Sequence, residues 1–498
     1  MIDTTKTIRE VRYNGTAIPL LGGVDNPIVV TSDTEMEACL NDDRYLGMYV
    51  KFSGESENYL NGQVYKIAQE GEASKFYQLP TLDNEGTAAD LAKGKQLISS
   101  GGKLVTGMAN LTDNLLRVID KSVTKISAED LQDITSIGEY LFYKCDRLTD
   151  VTLSANITNI GNNAFSNCSN LQNIHITNSV TNIGSYAFYN CTKLTNIIIP
   201  DNVTNIGSSI FSGCSGLTKV TIGKGITNIS SNAFQSCSNL TSVTIPDNVT
   251  NIDYRAFYNC TGLTSVMIGN GVTNIGGSAF NNCSKLESVV IPSTVTNIGS
   301  DAFYPCRRIK KIYITDVAAW CNISGLSASC LTSYGGSEGG SDKELYLNNE
   351  LVTSLVIPDG VTLIPGSAFA NFWRLTSIVI PGSVTSIEER AFRRSGLTNV
   401  TIPNGVTNIG RYAFDSCKHL MEVIIPNSVT NIDQGAFWYC PILSNITLLS
   451  TTPPTLGSDV FTSISSSAVI TVPKGTLNAY QTATNWSRYA DKMVEASN

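Results

Sequence analysis

The chain has 498 residues, a formal net charge of −8 and a pI near 5.0, which argues against the clustered Lys and Arg of an electrostatic grip on nucleic acid. No run approaches the roughly 18 consecutive apolar residues of a membrane-spanning helix, so no membrane insertion is expected. Length sets only a prior on domain count, and an internal repeat overrides it.

The opening residues, MIDTTKTIREVRYNG, lack the basic-then-apolar layout of a secretory signal peptide. The expectation is either that a signal has been removed or that the protein leaves its cell by another route. Up to residue 117, short runs rich in Val, Ile, Tyr and Phe (VRYNGTAIPLL, GMYVKFSG, GQVYKIAQ, KFYQLP) alternate with Gly, Asn and Asp turns, the pattern of a small β domain. The segment RYLGMYVKFSGESENYLNGQVYKI resembles one that recurs in tail-associated proteins of bacteriophages and prophages. Residues 86–111, GTAADLAKGKQLISSGGKLVTGMANL, resemble the linker between modules of such proteins, through Asp90, Gly94, Lys95, Gly102, Gly107 and Met108. The stretch departs from that pattern in carrying SSGG where a shorter Asn-Gly turn is usual. An attachment domain over 1–85 and a glycine-containing linker module over 86–117 are therefore expected.

Beyond this the chain repeats itself. VTNIGSYAFYNCTKLTNIIIP, from Val180, is nearly restated by VTNIGSSIFSGCSGLTKVTIG from Val203. Phe142, Phe165, Phe188, Phe211, Phe234, Phe257, Phe280 and Phe303 each follow the last by 23 residues; the register is then lost and returns at Phe369, Phe392, Phe414 and Phe437. One unit reads L-x-x-V-x-I-P-x-x-V-T-N-I-x-x-x-A-F-x-x-C. Its V-x-I portion alternates with period two and predicts a short strand. Pro200, Pro246, Pro292, Pro358, Pro381, Pro403 and Pro426 follow that strand directly, and proline, with no N–H and a fixed φ, ends ladder pairing and starts a turn. The A-F-x-x-C-x-x-L part is too short for a long helix and predicts a helical turn or an irregular return arc.

A unit of this size cannot bury its own apolar residues, but stacking identical units makes each side chain cover its counterpart in the next coil. The prediction is a mainly β solenoid with short helical turns. About thirteen V-x-I segments between Val151 and Ile446 would form one parallel sheet ~60 Å long at ~4.8 Å per strand. Ten of the thirteen cysteines (Cys145, Cys168, Cys191, Cys214, Cys237, Cys260, Cys283, Cys306, Cys417 and Cys440) share one position of the repeat. A small thiol that behaves as an apolar group suits a close approach of like residues, so the Phe and Cys columns are read as core. A disulfide ladder is the rival; it would impose a two-coil alternation that the sequence lacks. The asparagines of V-T-N-I (Asn159, Asn182, Asn205, Asn228, Asn251, Asn274, Asn297, Asn408 and Asn431) are read either as a stacked amide ladder or as solvated turn residues. The turn is favoured, because Leu363 and Ser386 occupy the same place.

The unit I-x-x-x-A-F-x-x-C-x-x-L-x-x-V-x-I-P resembles the BspA-like family of bacterial-surface leucine-rich repeats, over about residues 118–498. The break also resembles that family: DVAAWCNISG at 316–325, the Gly/Ser-rich SYGGSEGGSDK, then ELYLNNELVTSLVIP. The resemblance implies repeats over 118–315 and 346–449, a helix around Trp320 with a flexible insertion over 316–345, and a closing cap over 450–498. An open last coil would expose sheet edge and core, so Trp486 and Tyr489 are expected to cover it.

Catalytic groups are scarce. The two histidines, His175 and His419, lie about ten repeats apart, too far to share a site at ~4.8 Å per coil. Cys39 has no recognisable activating neighbour, and no phosphate-binding G-x-x-x-x-G-K-[ST] occurs. The reading is non-catalytic, with no metal and no cofactor. A solenoid presents its sheet face to ligands. The outward row runs Thr152, His175, Ile198, Thr221, Thr244, Met267, Val290, Tyr313, Val356, Val379, Thr401, Ile424 and Thr447, flanked by Lys219 and Lys311 among others. His175, Ile198, Met267, Val290, Tyr313, Val356, Val379, Lys219 and Lys311 are the candidate binding residues; the rival reading is a plain strand face rich in β-branched residues.

The two resemblances together imply an adhesion or receptor-binding protein of a phage tail or tail-like particle. Its N-terminal domain would contact other tail proteins, and its repeats would contact a host or bacterial surface protein or glycan. Self-association is compatible with this, since tail-attached fibres are often trimers, although no coiled coil is visible. The alternatives are an exported BspA-like bacterial surface adhesin and a glycan-active enzyme with its site in residues 1–117.

Overall fold

The computed structural model describes residues 123–132, 134–326, 331 and 343–497, and the backbone of short strands between residues 10 and 105. Those early strands form two antiparallel pairs, Glu10–Tyr13 with Thr16–Pro19 and Leu97–Ile98 with Leu104–Val105. Ile28–Val30, Tyr49–Phe52, Val64–Glu70 and Ala73–Leu79 form a mixed four-stranded sheet. Asp90, Lys95 and Met108, on which the resemblance to tail proteins rests, lie outside the described residues, as does Cys39.

The chain divides into two compact units, Met1–Ile226 and Thr227–Asn498. In the first, Asp150–Thr152 lies parallel to Lys125–Ile126 and to Asn173–His175, and Asn196–Ile198 lies parallel to Lys219–Thr221. In the second, Ser242–Ile245, Ser265–Ile268, Ser288–Ile291, Lys311–Ile314 and Glu344–Leu347 pair in parallel one after another. Ser354–Val356 then pairs with Ser377–Val379, and Asn399–Thr401, Glu422–Ile425, Asn445–Leu448, Val469–Val472 and Met493–Glu495 form a five-stranded parallel sheet. Period two sorts the side chains: Val243 and Ile245 are buried while Ser242 and Thr244 face outwards.

Each coil also carries a second strand, where the sequence favoured a turn. Ser136–Ile137, Asn159–Ile160, Asn182–Ile183 and Asn205–Ile206 pair in parallel, in register. Several of the asparagines form amide ladders: Asn182 Nδ2 donates to Asn159 Oδ1, and Asn205 Nδ2 to Asn182 Oδ1, each at 2.6 Å. In the second unit Asn297 donates to Asn274 at 2.6 Å and Asn431 to Asn408 at 2.7 Å. This corrects the turn assignment. A carboxamide is donor and acceptor at once, so in-register copies satisfy one another across a strand spacing.

The return arc is a chain of tight turns, with no helix. In the coil of Phe165, Ala164 N donates to Gly161 O, Ser166 N to Asn163 O and Cys168 N to Phe165 O, while Asn163, Phe165 and Asn167 donate to the next coil. Every second amide is thus used within the coil and the others between coils, which leaves the buried backbone paired. Left-handed residues stand two before the Phe and, in most coils, two after it, as at Asn163 (φ 53°) and Asn167 (φ 61°); Pro305 holds the second of these places after Phe303. Asparagine tolerates that conformation better than most residues.

Inside the arc the phenylalanines stack. Ring centroids of Phe142, Phe165, Phe188 and Phe211 lie 4.9–5.3 Å apart in sequence. Those of Phe234, Phe257, Phe280 and Phe303 lie 5.2–5.3 Å apart, and all these rings are buried. Beside them the cysteines are buried free thiols. Cys168, Cys191 and Cys214 in the first unit and Cys260 in the second each point Sγ at the Phe carbonyl 26 residues earlier, at 2.9–3.2 Å; Cys237 is buried as well.

The sheet does not break where the repeat loses register. Lys311–Ile314 pairs directly with Glu344–Leu347, so the intervening residues are a lengthened coil. Within it Val317–Cys321 forms a short helix capped by Asp316, and buried Trp320 donates from Nε1 to Ala368 O at 3.1 Å. Ser324 takes the ladder place, its Oγ 2.8 Å from Asn297 Oδ1. Glu344–Leu347 turns back on Glu350–Leu351 through Asn348 and Asn349, both left-handed, as a tight hairpin requires. At the C-terminus Trp486 is buried against Phe461, with centroids 6.0 Å apart, and donates to Pro454 O at 2.8 Å. Tyr489 accepts from Phe461 N at 3.2 Å.

Candidate functional site

The outward row lies where strand alternation puts it. In the first unit Thr152, His175, Ile198 and Thr221 are exposed, Ile198 at 64%, with Lys219 exposed beside them. In the second unit Thr244, Met267 (62%), Val290 (38%) and Lys311 are exposed, and Tyr313 is half-buried. Val356 and Val379 are exposed side by side in their own strand pair. Thr401 is exposed, and Ile424 and Thr447 are half-buried.

The structure gathers Met267, Val290 and Tyr313 on successive strands of one sheet and adds residues that the sequence reading missed. Tyr346 stands opposite Tyr313, with ring centroids 4.7 Å apart and planes 25° from parallel. Lys311 Nζ lies 5.7 Å from the Tyr346 centroid. The Tyr346 hydroxyl donates to Glu344 Oε2 at 2.9 Å, and that carboxylate holds the phenol above its ordinary value, with Arg374 pulling the other way. Arg374 stacks over Trp373 at 3.9 Å. The signal for Tyr346 was present in E-L-Y-L, where Leu345 is buried and Tyr346 is not, but it stood outside the repeat register.

The chemistry available is that of contact. Burial pushes the Cys214, Cys260 and Cys417 thiols up to about 12, so they are poor nucleophiles at neutral pH. Burial also raises Cys321 to about 12, with Asp316 adding to it. His175 and His419 are each exposed. The buried carboxylate of Asp415 is committed to Arg393 at 2.6 Å and to Ser416 Oγ at 2.7 Å. Among the described residues no group of three or more His, Cys, Asp or Glu could hold a metal ion, and no helix is long and apolar enough to cross a membrane. An open cleft of about 470 Å³, lined by Leu326, Leu363, Glu388 and Arg390 among others, lies beside the lengthened coil.

Among the solved structures similar to this chain are leucine-rich repeat proteins. That of Bacteroides ovatus is 19% identical and covers 89% of this chain and 100% of its own (TM-score 0.47). That of T. pallidum is 31% identical over 31% of this chain and 72% of its own (TM-score 0.30). A leucine rich cell surface protein of Faecalibacterium prausnitzii is 26% identical over 64% of this chain and 83% of its own (TM-score 0.32). No curated protein matches the chain significantly. The model of the BspA type leucine rich repeat region matches residues 120–241, 211–324 and 342–479. With most of its length matched, and with the stacked coils described above, the chain belongs to the BspA-type leucine-rich repeat family.

Proposed function

We propose that this is a non-catalytic adhesion protein displayed at a bacterial surface, and that the outward faces of its repeat strands carry the ligand. The observation behind the reading is the set of large apolar side chains held exposed on paired strands: Ile198, Met267, Val290, Val356 and Val379. Rigid exposed apolar surface is what partner contacts use. Membership of a repeat family whose coils form an extended scaffold supports it. Residues 118–449 would be the binding array, 450–498 its cap, and 1–117 the part that joins it to its support.

The test is adhesion of the labelled full chain to candidate host cells, with immobilised host proteins and glycans in parallel. A wide-face variant, Ile198→Lys with Val356→Lys and Val379→Lys, should lose most binding while keeping its far-UV spectrum. Unchanged adhesion would reject the face.

A second placement, on a phage tail or tail-like particle, rests on the sequence resemblance of residues 1–117. In that case the same sheet face meets a host-surface ligand, and the first domain meets other tail proteins. Antibodies against each end separate the two: a particle with the N-terminus inboard supports the tail, and label on intact cells supports the surface.

A further inference from the structure

The coil before the lengthened one differs from its neighbours in charge. Where other coils read CSNLTS (237–242) or CTGLTS (260–265), this one reads CRRIKK (306–311). Cys306 and Ile309 are buried, and Arg307, Arg308, Lys310 and Lys311 are all exposed. The neighbouring strands are bonded to it: Lys310 N donates to Glu287 O at 2.9 Å, and Glu344 N donates to Lys310 O at 2.7 Å. Lys285 and Arg374 are exposed near its two sides, and Arg374 lies within electrostatic reach of Tyr346. None of these six cations takes part in an ion pair among the described residues. Among the described residues the neighbouring strands carry carboxylates at Glu287, Glu344 and Glu350, and Glu344 accepts from the Tyr346 hydroxyl. In a chain of net charge −8 this is a local reversal of sign.

Beside the cations stand Met267, Val290, Tyr313, Tyr346 and Trp373, a set rich in the residue types that anchor protein interfaces. Charge and residue type favour a protein segment over a sugar as occupant. Tyr313 and Tyr346 stack, each covering one face of the other. Lys311 sits over Tyr346, and Arg374 over Trp373.

We infer that this patch is the docking site for an acidic protein segment, its carboxylates against Arg307, Arg308, Lys310 and Lys311 and its apolar side chains against Met267, Val290 and the tyrosines. The inference rests on the sheet face being the binding surface, and it names the kind of partner taken there. Charge complementarity steers such a segment and fixes its register, while the apolar centre holds it.

The full chain is tested for binding to a random copolymer of glutamate and tyrosine, with polyglutamate, heparin and a single-stranded oligonucleotide as competitors. Arg308→Glu with Lys310→Glu should weaken copolymer binding by about tenfold or more, and more so at low salt. Tyr346→Ala should weaken copolymer binding but leave polyglutamate binding as it was, and Tyr346→Phe should restore it. Copolymer binding indifferent to the charge reversal overturns the site, and heparin or oligonucleotide binding tighter than copolymer at the same residues overturns the partner. Adhesion that survives the charge reversal but not the wide-face variant removes the patch and keeps the face. Adhesion that survives both removes the face as well.

Discussion

Cys191 points its Sγ at the carbonyl of Phe165, 3.2 Å away in the preceding coil. The same contact recurs from Cys440 to Phe414 at 3.2 Å, so one side chain both fills the gap between coils and caps a buried carbonyl. Cys191→Ala should cost about 1–2 kcal/mol, from lost contacts and a carbonyl left with less. Cys191→Leu should cost about 1–3 kcal/mol by overpacking. Serine already fills the equivalent place at Ser395, which is buried against Cys417 Sγ at 3.4 Å, so Cys191→Ser should still fold. Urea denaturation followed by far-UV circular dichroism ranks the three. A leucine variant as stable as the parent would mean the column is not tightly packed.

The thiols also set an alkaline limit. Burial carries Cys214, Cys260 and Cys417 from an ordinary value of 9.0 up to about 12 in the folded chain. The folded thiol keeps its proton where the unfolded one has lost it, so this stabilisation is whole below pH 9 and is lost as pH rises towards 12. Each such thiol removes about 1.4 kcal/mol per pH unit within that window. Calorimetry should therefore show the melting temperature falling from pH 9 upwards, with a shallower fall in Cys214→Ala. Iodoacetamide at neutral pH should leave the column unmodified until denaturant is added. Rapid labelling of the native chain would contradict its burial.

Asn182 tests the amide ladder, because it bonds to a copy on each side at 2.6 Å. Asn182→Ala should cost about 1–3 kcal/mol by orphaning both neighbours. Asn251 is the internal comparison. Its Nδ2 turns to Thr250 Oγ1, and Asn228 below it donates to Asp253 instead. Asn251→Ala should therefore cost less than half as much in the same urea titration, and equal costs would mean the ladder contributes nothing.

The Phe and Cys columns were legible because stacking sets like on like, so a periodic residue reports its own surroundings. The amide ladder was not. Asn-Ile is two residues long and cannot show period-two alternation; its strand character exists only through the copy one coil away. The left-handed positions were hidden differently. Asn163 and Asn232 suit them, but Tyr186, Arg255 and Arg390 hold the same conformation, so residue type is an uneven guide. Tyr346 went unseen because the lengthened coil displaced the register, although its strand pairing with Lys311–Ile314 is as regular as any other.

Trp486 covers the coil of Phe461. Its ring lies 6.0 Å from Phe461 and 5.2 Å from Tyr480, fully buried, and its Nε1 is bonded to Pro454 O. Trp486→Ala removes all three contacts and should cost about 3–5 kcal/mol. In a repeat array each coil is held mainly by its neighbours, so the loss should stay near that coil. Hydrogen exchange should quicken in Val469–Val472 and Met493–Glu495, fade through Asn445–Leu448, and leave Ser242–Ile245 as it was. Trp486→Phe keeps the ring and loses only the hydrogen bond, so it should recover most of the protection. Uniform acceleration over the whole second unit would instead make the tryptophan part of one cooperative core and deny it the role of a local cover.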